Sequence, residues 1–296
     1  MRIVSLVPSA TEMLFALGLG DDLVAVTHEC DYPPGAAELP KVTRDLLPPG
    51  LTSAEIDAAV KERTLHGESI YELDVELLES LRPALIVTQA LCAVCAVSYD
   101  DVRTVAEELD SQPMVVSLDP QTVGEVLGDA RRLAEITGCR DAAVDLVRAA
   151  SDRIDRVRIA VRRAPRPRVA ALEWLDPPFA AGHWTPQLIE YAGGEDVLGA
   201  PGEHSEERTW DEVRLAQPDV VVVMPCGFDA DLAYREAEMH QEELASLGAG
   251  EVVAVDAAAY FSRPGPRIVD GLELLAHILH PELFPEAPAR ALAVAL

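Results

Sequence analysis

Short aliphatic and β-branched runs alternate along the whole chain with segments of helical periodicity, and this alternation restricts the fold more than any other feature. The runs are Ile3–Val7, Leu23–Thr27, Leu85–Thr88 and Met114–Leu118, then Val169–Leu172, Val220–Met224 and Val252–Val255. Strands separated by helix-length segments predict α/β architecture, with parallel sheets covered by helices on both faces.

The pattern occurs twice. Leu78-Glu-Ser-Leu-Arg-Pro83 precedes ALIVTQALC, and Val213-Arg-Leu-Ala-Gln-Pro218 precedes DVVVVMPC. In each, a helix ends before Pro, a strand follows, and a cysteine stands just beyond it. Each half opens with a strand and then a helix, Glu12–Leu17 stopped by Gly18-Leu-Gly20 and Gln187–Ala192 stopped by Gly193-Gly194. Met114–Asp119 and Val252–Asp256 are matching late strands that end in Asp. Three correspondences in one order predict two similar lobes, residues 1–120 and 165–296.

Residues 121–164 between them are helical in pattern. Val126, Leu127, Ala130, Leu133 and Ala134 recur at i, i+3, i+4 spacing, Gly138 interrupts, and Leu146, Val147, Ala150, Ile154 and Val157 resume the stripe. A helix over Arg140–Arg163 spans about 35 Å, and Ala164-Pro-Arg-Pro167 ends it. The expected molecule is two Rossmann-like lobes with parallel sheets, joined by a long backbone helix, with a ligand cleft between them.

Lys plus Arg total 24 against 51 acidic residues, a net charge of −27. Such a surface repels phosphate backbones, so nucleic acid is excluded as a partner class. No run reaches the roughly 18 apolar residues of a membrane helix, so membrane insertion is not expected. Met1-Arg-Ile-Val-Ser-Leu-Val7 enters an apolar strand directly, with no signal-peptide pattern. This predicts a cytoplasmic protein, or a periplasmic or extracellular one if a signal has been removed.

In open parallel sheets, ligands bind beyond the carboxyl ends of the strands, so the residues there are the candidate site. Pro8-Ser9-Ala10-Thr11-Glu12 follows the first strand, and the Ser9/Glu12 spacing predicts a capping box. Pro8 shapes that loop and is a candidate ligand contact. His28-Glu-Cys30-Asp-Tyr32 follows the second strand, and the Tyr32 ring suits stacking on a flat ligand. In the second half, Trp174, Phe179, His183, Trp184, Cys226, Phe228, Tyr260, Phe261 and Arg263 all follow strands. Aromatic residues are only 5% of the chain, so their concentration at strand ends predicts an aromatic-lined cleft. Trp210, ahead of a helix, reads as a structural staple, and His66, His204, His240, His277 and His280 receive no role.

Cys92 and Cys95 form a CxxC at the end of a strand. A zinc site needs two more ligands, which Cys30 and a histidine supply if the loops converge. A redox pair needs a helix to follow, and Val97–Leu109 has that pattern. Packing of two small residues needs nothing more. Cys139, beside a helix break, reads as a small buried residue.

RIVSLVPSATE at the start, DYPP, the long bridging helix, PPF followed by Gly, and FSRPGPRI occur in that order. Together they resemble the helical-backbone (class III) substrate-binding proteins of bacterial ABC uptake transporters, over nearly the whole chain. The opening motif is shared by siderophore, haem and cobalamin binders, whereas DYPP and Phe-x-Arg-x-x-Pro-Arg are similar to the cobalamin-binding members. The resemblance implies a non-enzymatic protein holding a cobalamin-like corrinoid, with Pro8, Tyr32, Phe179, Phe261 and Arg263 in contact with it. It also implies that Glu76 and Asp211 or Glu212 dock onto arginines of a transporter permease. One departure is Ala259, where the pattern has an acid two positions before Phe261. Another is the set His28, Cys30, Cys92, Cys95, His183 and Cys226, which offers soft metal ligands that an intact corrinoid does not require.

Two functions therefore compete. One is a binding protein for a corrinoid or related metal chelate. The other is a cytoplasmic metal- or thiol-dependent enzyme or metal carrier, with zinc or iron on the cysteines and histidines.

Overall fold

Each aliphatic run becomes a strand in the computed structural model, which describes residues 1–48, 50–66, 68–90 and 98–296. The strands are β1 (Ile3–Ser5), β2 (Leu23–Val26), β3 (Thr43–Asp45), β4 (Tyr71–Leu73), β5 (Leu85–Thr88) and β6 (Met114–Ser117). They alternate with helices α1 (Pro8–Ala16), α2 (Pro34–Ala37), α3 (Ser53–Leu65), α4 (Val75–Leu81) and α5 (Tyr99–Glu108). Two helices, α6 (Val123–Thr137) and α7 (Arg140–Val161), lead to the second set. That set has β7 (Arg168–Leu175), β8 (Pro178–Ala180), β9 (Glu195–Asp196), β10 (Glu206–Glu207), β11 (Val220–Val223), β12 (Glu251–Val255) and β13 (Ala291–Ala293). Its helices are α8 (Thr185–Tyr191), α9 (Trp210–Leu215), α10 (Ala230–Met239), α11 (Gln241–Ser246), α12 (Ala257–Tyr260) and α13 (Ile268–Leu279).

The chain forms two compact units, Met1–Pro120 with Leu127–Val147 and Gln121–Val126 with Arg148–Leu296. The helix α7 runs from one unit into the other. No helix among the described residues is long and apolar enough to cross a membrane.

In the first unit β2-β1-β5-β6 form an all-parallel sheet. Its central strands β1 and β5 are buried along their whole length, as continuous aliphatic runs in a sheet covered on both faces require. Val4, Leu6, Ile86, Leu78 and Val102 form one core. The chain leaves β1 toward β2 and β5 toward β6, so the order reverses between β1 and β5. The crevice at such a reversal is where open sheets take ligands.

The sheet of the second unit is mixed. Strands β7, β11 and β12 are parallel, but β8 pairs antiparallel with β7, β10 antiparallel with β8, and β13 antiparallel with β12. Only Asp176 and Pro177 separate β7 from β8, and so short a link permits a hairpin but no crossover. The core is Leu172, Val221, Val223, Ala233, Ala237, Leu244 and Ala254. Each leucine or valine side chain among them contributes roughly 1.5–3 kcal/mol when fully buried.

The internal duplication extends to hydrogen bonds. After α4, Arg82 is left-handed (φ 47°) before Pro83, and after α9 Gln217 is left-handed (φ 48°) before Pro218. Each helix then ends under an arginine at the start of its unit's first strand, Arg2 just before β1 and Arg168 opening β7. Arg2 Nε donates to the Leu81 carbonyl, and Arg168 Nη2 donates to the Ala216 carbonyl at 2.7 Å. Leu81 and Ala216 hold equivalent positions, and a cation there suits the negative end of the helix dipole.

The expected capping box at Ser9 and Glu12 does not form. The helix α1 starts earlier, at Pro8, with Val7 as N-cap and no side-chain cap. Proline at the first helical position needs no N–H partner, which leaves Ser9 and Glu12 inside the helix and buried. Capping boxes occur instead at Thr52/Glu55 and Thr209/Glu212. Trp210 is the first residue of α9, after the Thr209 N-cap, so it is not the staple expected ahead of the helix; it packs against the second core.

Candidate functional site

In the first unit, the loops after β1 and β2 are tied by a buried chain of hydroxyls and a thiol. Thr11 Oγ1 donates to Ser5 Oγ at 2.8 Å, and the Cys30 sulfur lies 3.1 Å from both Thr11 Oγ1 and Thr27 Oγ1. Burial pushes the Cys30 thiol up, against smaller opposing effects of these hydroxyls. At 2% exposure, Cys30 packs in the core of this loop pair. His28 is half-buried, with Nδ1 2.8 Å from Thr43 Oγ1 and its ring on Tyr71. Pro8 is buried, and Tyr32 presents its ring outward at 44% exposure. Cys92 and Cys95 lie outside the described residues.

In the second unit, the ends of β7, β8 and β11 assemble the aromatic residues. Trp174 pairs with Phe179 across the β7–β8 hairpin, and its ring meets Phe228 edge-on at 5.7 Å. Its indole Nε1 is buried and has no hydrogen-bond partner among the described residues, although buried polar atoms are normally satisfied. Cys226 is exposed, and its backbone N–H donates to the Glu173 carbonyl at 3.0 Å.

Glu173, beside Trp174, escaped the reading from sequence. Burial pushes its carboxyl up to about 7, with the Ser205 hydroxyl pulling it slightly down. The signal was a lone carboxylate within the apolar run of β7. A carboxyl poised near neutrality can donate or accept a hydrogen bond.

Trp184 and Phe261 are buried. They are 5% and 3% exposed, and Trp184 Nε1 donates to the Phe261 carbonyl at 2.8 Å, pinning two loops together. Phe261 fills the space beside Gly271, where a Cβ would meet the Tyr260 carbonyl at 2.5 Å. Tyr260 lies under the Arg267 guanidinium at 5.8 Å, and Arg263 is half-buried on the same loop. The acid near these arginines is Asp256, which caps α12 through the Ala259 N–H at 2.8 Å. Burial raises its carboxyl, and the charges of Arg267 and Arg263 offset part of that.

His183 stands 3.2 Å from His204, Nε2 to Nδ1, with the rings nearly perpendicular at 86°. Desolvation and its neighbour hold the His183 imidazole below the usual range. Among the described residues no three His, Cys, Asp or Glu side chains converge as a metal site. The proposed docking acids are exposed. Glu76 is in the first turn of α4, Asp211 pairs with Arg214 at 2.7 Å, and the Glu212 carboxylate is occupied by Thr209 in a capping box.

A family model described as periplasmic binding protein matches residues 3–250. A vitamin B12-binding protein of Vibrio cholerae is 24% identical over 279 residues, covering 92% of this chain and 86% of that one. The crystal structure of a periplasmic vitamin B12-binding protein of Vibrio cholerae superposes with a TM-score of 0.67 at 22% identity, covering 94% of this chain and 96% of the other. A periplasmic haem-binding protein solved with two haems superposes with a TM-score of 0.67 at 24% identity, covering 97% and 99%. These relatives are described as binding proteins. The cytoplasmic reading drawn from the sequence start finds no support in a family described as periplasmic.

Proposed function

The chain belongs to the periplasmic binding protein family, and we propose that it binds a corrinoid or a closely related metal-chelate ring, without catalysing a reaction. The likeness to vitamin B12-binding proteins over nearly the full length supports the ligand class. The observation that carries the reading is the Trp174–Phe179–Phe228 group, gathered at strand ends of the second unit beside a buried indole N–H without a partner among the described residues. Apolar ring faces stack on the flat ligand, and the indole N–H and the Glu173 carboxyl meet its peripheral amide or carboxyl oxygens. Pro8, Tyr32 and Arg263 are proposed as further contacts.

The transporter-docking acids are refined by the duplication. Glu76 and Asp211 occupy equivalent second positions of α4 and α9, whereas Glu212 is engaged as a cap. We assign docking to Glu76 and Asp211.

Titration with cyanocobalamin, cobinamide and haemin, followed by absorbance and calorimetry, tests the proposal. Stoichiometric binding of a corrinoid is expected, and Trp174→Leu should weaken it by about 2 kcal/mol, roughly 30-fold. Binding of haemin alone replaces the corrinoid by a porphyrin. Binding of none of the three overturns the ligand class.

A further inference from the structure

We propose that His183 and His204 form a two-imidazole site for a divalent transition-metal ion. Two imidazole nitrogens bound at 2.0–2.1 Å to a tetrahedral ion stand roughly 3.3 Å apart, and His183 Nε2 and His204 Nδ1 are 3.2 Å apart.

The backbone holds this spacing in place. His183 adopts a left-handed conformation (φ 55°), which costs a non-glycine residue free energy and collects at functional positions. Its N–H donates to the Glu203 carbonyl at 2.6 Å, and its own carbonyl accepts from the Gly202 N–H at 2.9 Å. Preceding it, Gly182 lies so close to the other loop that a Cβ would stand 2.4 Å from the Ser205 nitrogen. Following it, Trp184 is anchored on Phe261. The loops 182–184 and 202–205 are thus fastened together, and their two imidazoles meet at the surface with His204 exposed.

No third protein ligand converges among the described residues, so water or an outside donor completes the coordination. Imidazole pairs favour Cu2+, Ni2+ and Zn2+ over Mg2+ and Ca2+. This separates the site from the general attraction of cations to a chain of net charge −27. A site for the free ion is also independent of the corrinoid reading, because it is tested with metal alone.

The experiment adds one equivalent of Cu2+, and separately of Ni2+, to the full chain in a large excess of Mg2+. Calorimetry measures affinity, and electron paramagnetic resonance counts the nitrogens around Cu2+. Two imidazole nitrogens are expected in the wild type. His204→Gln and His183→Asn should each weaken Ni2+ binding by roughly 10- to 100-fold or more, since loss of outer-shell partners alone costs that much. Asn tolerates the left-handed backbone, and thermal melts establish that both variants fold. Fewer than two imidazoles on Cu2+, or undiminished affinity in folded His204→Gln, overturns the proposal and leaves the pair as an N–H···N hydrogen bond.

Discussion

Glu173 shows how one side chain can set a pH response. Its carboxyl is pushed up to about 7 by burial, from an ordinary value of 4.5. Below about 4.5 both folded and unfolded chains keep that proton. Between 4.5 and 7 the folded chain retains a proton that the unfolded chain releases, so rising pH favours unfolding. Above 7 the full penalty applies, on the order of 3 kcal/mol. Glu173→Gln removes it. Urea denaturation of wild type and variant should give equal stabilities near pH 4.5 and a growing advantage for the variant up to pH 8. Parallel stability profiles would show that the carboxyl is solvated. Glu173 was not legible as a site residue beforehand, and of the histidine pair only His183 was, as a candidate metal ligand. Glu173 looked like one letter of a strand, and 21 residues separate the two histidines. The close approach of Gly182 to the 203–205 backbone and the backbone hydrogen bonds of His183 bring them together.

At the level of elements, strand positions were legible because runs such as Val220–Val223 have few alternatives to burial. Their ends were less so. The expected Ile3–Val7 stops at Ser5 because Pro8 begins a helix at once, and the expected Val169–Leu172 extends to Leu175 because the β8 hairpin continues its pairing. The duplicated helix endings were half visible. The prolines announced them, but the arginines that cover the final carbonyls lie at the starts of other elements. Arg168 spans the Ala216 and Gln217 carbonyls and pairs with Glu195 at 3.2 Å. Replacing it with Leu leaves those carbonyls to water and removes the cation from the helix end. Since the side chain is 42% exposed, the loss should be about 1–2 kcal/mol, a fall of roughly 2–8 °C in Tm. Arg168→Lys keeps the charge without the fork, so calorimetric melts should place it between the two. A Leu variant as stable as wild type would show that solvent serves the helix end equally well.

For the whole molecule, the governing quantity is the charge of −27, with Lys41 and Lys61 the only lysines. The ion pairs among the described residues are mostly between exposed groups, such as Arg103–Glu107 and Arg140–Glu135, and pairs of that kind contribute little. An exception is Arg153, which holds Asp270 and Glu273 of α13 from α7 in a half-buried fork. Local pairing therefore leaves most of the negative charge unopposed, and the folded state concentrates it more than the unfolded chain does. Screening relieves that repulsion over a Debye length that shrinks from about 30 Å at 0.01 M salt to about 3 Å at 1 M. The same salt weakens the exposed ion pairs, but their summed contribution is the smaller one. Tm should consequently rise with NaCl across this range. It should rise most steeply at the low end, where screening changes most, and similarly in KCl, since no specific cation is invoked. Melts followed by circular dichroism at fixed pH check this. A Tm that stays flat or falls would mean that attractive pairs dominate the surface despite the excess of acids.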